Sequence, residues 1–157
     1  MGGVPGRCRR RFLNYVQGMG VPEFHELFPH SPAFRDMQPL RIPAGWRIVW
    51  NQLDIGMATD VTGVGGSSVF HATNESRRFN IDVEFRPEFD PDGSFHLTIV
   101  YQPWPRTERG RRRQDVAFAF DGDGQTVHTF ETRAYPDLVA ELEHWIARCT
   151  VWEREGH

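Results

Sequence analysis

Lysine is absent from this chain: all 18 basic residues are arginine. That removes the phosphate-binding lysine of a P-loop, any Schiff-base mechanism and any lysine general base. Codon bias in a GC-rich genome accounts for such usage, and the exclusions hold whatever its origin. Cysteine is nearly absent too, with only Cys8 and Cys149 among 157 residues. Two cysteines build no framework of the kind that staples small secreted domains, so a reducing cytoplasm is the expected compartment. No apolar run approaches the ~20 residues needed to span a bilayer, and no membrane association is expected. No G-x-S-x-G is present, and Ser67, Ser68 and Ser76 have no local base to activate them. A formal charge of −3 argues against general nucleic-acid binding while leaving room for a local basic patch.

What is present is alternation. In Arg78-Phe79-Asn80-Ile81-Asp82-Val83-Glu84-Phe85-Arg86 the odd positions are large and apolar and the even ones polar or charged. This period of two marks a strand with one buried face. Phe95, Leu97, Ile99 and Tyr101 repeat the pattern over 95–102, and Pro91-Asp92-Gly93 between the runs supplies turn chemistry. Upstream, 46–53 reads as a strand with Trp46, Ile48 and Trp50 on one face and Val49 and Leu53 on the other. A glycine-rich connection and a weaker strand over 67–73 follow it. Downstream, Pro103-Trp104-Pro105 ends the 95–102 strand, because proline cannot donate to a ladder. Val116, Phe118 and Phe120 alternate again, and Asp121-Gly122-Asp123-Gly124 is a hairpin signal before a strand over 126–132.

The last element reads as a helix over 136–149. Pro136 suits its first turn, Asp137 complements the positive end of the dipole, and Leu138, Leu142, Trp145 and Cys149 form an apolar stripe. Glu141, Glu143, His144 and Arg148 fall to the wet side, and Cys149 is expected as a small core residue. The expected fold is therefore α+β: an antiparallel meander of about five or six strands with this C-terminal helix packed on one face. One domain covers 42–150, preceded by a Pro/Gly/Arg-rich segment over 1–41, irregular or with a short helix, and followed by a tail over 151–157. Arg9-Arg10-Arg11-Phe12-Leu13 imitates a twin-arginine export signal, but no apolar stretch follows it, so it reads as a decoy. Met1 and Met19 both stand as starts.

Four constellations resemble chemistry without meeting its geometry. His25 and His30 are five apart with Pro29 between them, which is not the spacing that presents two imidazoles to one zinc ion. Asp90-Pro91-Asp92-Gly93-Ser94 and Asp121-Gly122-Asp123-Gly124 lack the bidentate glutamate at the twelfth position of a calcium loop and read as turns. Gly63-Val64-Gly65-Gly66-Ser67-Ser68 has the glycine content of a phosphate cradle but leads into a strand, not a helix N-terminus. Neither a metal nor a cofactor is expected.

A domain that opens with Ile42-Pro43-Ala44-Gly45-Trp46, continues as an antiparallel meander and closes with Phe130-Glu131-Thr132-Arg133 running into a helix resembles small bacterial immunity proteins of polymorphic-toxin or contact-dependent inhibition systems. The resemblance covers 42–150 and carries no shared catalytic motif. It implies a single-domain cytoplasmic inhibitor, monomer or homodimer, that blocks a cognate protein toxin by binding it. The residues themselves offer Arg78, Asn80, Asp82, Glu84, His96, Thr98 and Gln102 as a polar, mixed-charge partner-binding face, an arrangement suited to partner selection and fast encounter. A nucleic-acid reading uses Trp104 as a stacking platform with Arg109, Arg111, Arg112 and Arg113 as phosphate contacts. A third reading places a small-ligand or enzymatic pocket between sheet and helix, lined by Trp46, Trp50 and Trp145.

Overall fold

The structure is a computed structural model that describes residues 36–65, 68–119 and 124–152. The expected N-terminal segment with its arginine run and His25–His30 spacing, Cys8, most of the 121–124 hairpin signal and most of the C-terminal tail lie outside the described residues. Among the described residues five strands form one sheet: β1 (Arg47–Asn51), β2 (Phe70–Asn74), β3 (Phe79–Arg86), β4 (Ser94–Tyr101) and β5 (Gln125–Thr132). They stand side by side in chain order, each antiparallel to the next. One helix, α1 (Tyr135–Thr150), packs against the sheet, which makes the fold α+β.

Alternation does most of the building. Phe79, Ile81, Val83 and Phe85 are fully buried, while Asn80, Asp82 and Glu84 between them are half-exposed. Opposite them on β4, Phe95, Leu97 and Ile99 continue the apolar face, and Phe70 and Ala72 extend it through β2. Helix α1 closes this face with Leu138, Leu142, Trp145, Ile146 and Cys149. Each large side chain buried here contributes ~1.5–3 kcal/mol before chain entropy is subtracted. Pro136 sits in the first turn of the helix, and Thr132 Oγ1 accepts from Ala134 N at 3.0 Å just ahead of it. Gly45 holds φ +98° in the turn that launches β1, a conformation open to glycine and strained for other residues.

Three details differ from the sequence expectation. A bulge between Ile48 and Trp50 breaks the register of β1, so that Ile48 pairs with Ala72 on the core face while Trp50 pairs with His71 on the opposite one. Trp50 is therefore 47% exposed and parted from Trp46, whose Nε1 donates to Thr150 Oγ1 at 2.8 Å. Residues 116–119 form no strand: the alternation of Val116 and Phe118 serves an irregular segment laid against the sheet. Glu141 is not on the wet side. Its Oε1 accepts from Trp145 Nε1 at 2.9 Å and lies 2.8 Å from His128 Nε2 on β5, close but not aligned as a hydrogen bond.

Candidate recognition face

The sheet face opposite α1 is polar, and strand register arranges it in rows. His71, Asp82, Thr98 and Thr129 run across β2 to β5 in one row, and Glu84, His96 and Glu131 form the next. Arg86 faces Ser94 at the end. Every second residue points this way because its neighbours are committed to the core, so the face follows from the same alternation that builds the fold.

Cross-strand contacts fix these side chains. Ser68 Oγ donates to Asp82 Oδ1 at 2.7 Å, and Glu84 forms an ion pair with Arg86. Burial lifts the Asp82 carboxyl above its ordinary pKa and Glu84 adds repulsion, while the Ser68 hydrogen bond, His71 and Arg86 act in the other direction. Ser94, His96 and Glu131 meet at the far end, where Ser94 Oγ donates to Glu131 Oε1 at 2.7 Å and lies 3.0 Å from His96 Nε2. The composition is that of a hydrolase triad, but the connectivity is different. In a triad the imidazole takes the hydroxyl proton while the carboxylate orients its far nitrogen. Here the Ser94 hydroxyl donates its hydrogen bond to Glu131 instead, and the other Glu131 oxygen stands 3.9 Å from His96 Nδ1. The cluster ties β4 to β5 and leaves the hydroxyl committed.

Five of the seven residues expected on this face lie on it: Asn80, Asp82, Glu84, His96 and Thr98. Arg78 and Gln102 do not, because they stand just outside the strands and are buried. Arg78 precedes β3 at φ +64° and is 2% exposed. Its guanidinium donates to Gln102 O at 3.2 Å, to Gln102 Oε1 at 2.8 Å and to Val116 O at 3.2 Å. It also stacks over Trp104, 4.6 Å from the ring centroid, and faces Phe118 at 5.4 Å. The Gln102 amide completes the clasp, with Nε2 donating to Ala119 O at 3.1 Å and Oε1 accepting from Ala119 N at 3.2 Å. Desolvation lowers the Arg78 pKa from the usual arginine value, with Tyr101 opposing, and the guanidinium stays charged. These two residues pin the 103–119 segment to the sheet.

Ser68, His71, Ser94 and Glu131 belong to the face and were not assigned to it from sequence. Ser94 shares the even parity of His96 and Thr98, so beginning the strand one residue earlier brings it in. Glu131 becomes visible once β5 is set in register against β4.

The arginine loop is a small hairpin with Arg106 bridged to Arg112. Arg109, Arg111, Arg112 and Arg113 are exposed. Arg113 is held by Asp115 at 2.9 Å, and one side of Trp104 is covered by Arg78. Trp46, Trp50 and Trp145 line no common space: Trp50 is on the far face of the sheet, and Trp145 stacks on His128 with centroids 4.4 Å apart. Core side chains fill the seam between sheet and helix. Among the described residues no group of His, Cys, Asp and Glu is arranged to hold a metal ion, and no helix is long and apolar enough to cross a membrane. No model of a protein family, no curated protein and no solved structure matches this chain.

Proposed function

We propose that this chain is a protein-binding module of the immunity type, a single-domain inhibitor that binds a cognate bacterial toxin through the helix-free face of its sheet. The observation that supports this reading is the pair of rows carrying Asp82, Glu84, His96, Thr98 and Glu131, held in fixed positions by bonds from Ser68, Ser94 and Arg86. A recognition surface whose side chains are already ordered loses little entropy on binding. Its three carboxylates favour a partner with a basic contact surface, and complementary charge speeds encounter and rejects wrong partners. Affinity capture from the native host tests for the partner, and a large secreted toxin encoded by an adjacent gene is the expected catch. Replacing Asp82 and Glu84 together by arginine is expected to weaken that complex by about a hundredfold. Unchanged affinity in the doubly reversed variant removes this face from the account.

A further inference from the structure

A second site lies at the other end of the same sheet face, where the 103–119 segment returns over β1 and β2. Arg47, Val49, His71, Thr73 and Phe118 surround a half-open cleft of about 380 Å³, within the range of small-ligand pockets. The bulge in β1 creates one wall, because it turns Val49 and Trp50 to the side of His71. Phe118 makes the opposite wall, held between Val116 O, which accepts from Arg78, and Ala119, which is clasped by Gln102.

The polar groups on this lining are unevenly engaged. His71 Nε2 donates to Asn80 Oδ1 at 2.6 Å. Thr73 is 2% exposed, yet its hydroxyl has no hydrogen-bond partner, which is costly for a buried polar atom. Arg47 stands at the mouth, 68% exposed, with one guanidinium nitrogen 3.2 Å from Glu75. An exposed pair of that kind is weak, and a guanidinium keeps donors for a second carboxylate. A larger groove between 41–43 and the outer side of α1 offers no such combination, since Glu143 there already accepts from Arg41 N at 2.7 Å.

We propose that this cleft binds a small carboxylic acid with an apolar body of aromatic size. The body lies between Phe118 and Val49, and the carboxylate reaches Arg47. This site adjoins the recognition rows through His71, but Arg47, Val49 and Phe118 belong to neither row.

Phenylacetate is the probe, titrated into the full chain and followed by two-dimensional amide NMR, with phenylacetamide as its neutral counterpart. Saturable shifts are expected at Val49, Thr73 and Phe118, with phenylacetamide weaker by at least about tenfold. Arg47→Gln is expected to bring phenylacetate down to the level of phenylacetamide, and Phe118→Ala to weaken both. Unchanged dispersion of the remaining amides shows that each variant is folded. Absence of saturable shifts at these residues, equal affinity for the two probes, or phenylacetate binding untouched by both substitutions overturns the proposal.

Discussion

The Arg78 guanidinium donates to Gln102 Oε1 across 2.8 Å, and that same oxygen accepts from Ala119 N at 3.2 Å. One amide thus joins the start of β3, the end of β4 and a segment with no strand partner of its own. Gln102→Leu leaves a buried cation without its nearest acceptor, while the Gln102 and Val116 carbonyls remain, and is expected to cost about 1.5–3 kcal/mol. A urea titration reads this as a lower midpoint. A shift of under ~0.5 kcal/mol, the value for an ordinary surface position, contradicts the clasp.

Asp82 ties stability to pH. Its pKa is raised by burial, so folding favours the protonated form and the ionised carboxylate opposes the fold at neutral pH. The contribution is fully present below the unfolded value of ~3.9 and is lost as pH rises through the higher folded value. Asp82→Asn is therefore expected to raise the melting temperature at neutral pH, with a gain that vanishes on acidification below the ordinary aspartate range. Melting curves of both proteins across that range provide the check, and a gain independent of pH assigns the effect to something other than ionisation.

Cys149 is buried in the core stripe of α1, and burial pushes its thiol up to about 12, with Arg148 acting weakly against it. The thiolate is the reactive form, so a maleimide is expected to leave the native protein unmodified in a Cys8→Ser background. Labelling then proceeds only as fast as the chain unfolds and should follow denaturant concentration. Fast labelling without denaturant contradicts the packing.

The arginine hairpin offers few phosphate contacts on a chain of net charge −3. Fluorescence anisotropy with a single-stranded oligonucleotide is expected to show no retention at physiological salt. Retention that falls steeply with salt and is lost in an Arg109→Ala, Arg111→Ala, Arg112→Ala triple variant supports the nucleic-acid reading instead.

The parts of this fold that alternation alone decides were legible: the buried odd positions of β3, the matching face of β4 and the stripe of α1. Parity failed where a residue left the ladder. Arg78 and Gln102 share the even numbering of Asp82 and Thr98, but the 103–119 segment covers their side chains through Trp104, Val116, Phe118 and Ala119. Val116 and Phe118 alternate as a strand does, yet Phe118 faces a cation and its neighbours bond to side chains, a pairing set by contacts distant in sequence. The β1 bulge was hidden because Ile48-Val49-Trp50 is apolar on either register. The recognition rows were half visible, since β3 and β4 carried their own signal and β5 needed its register.

Strands that stand in chain order also shape how the molecule assembles. Each of β2, β3 and β4 meets a partner made moments before or after it, with turns confined to 75–78 and 87–93. The long closures are the 52–69 link between β1 and β2 and the 102–124 link between β4 and β5, and doubling a loop's length adds only about 0.6 kcal/mol of closure entropy. Early zippering of β2–β3–β4, with β1, β5 and α1 docking afterwards, is the route this connectivity favours. Stabilising changes in those hairpins then speed folding, whereas equal gains in α1 slow unfolding.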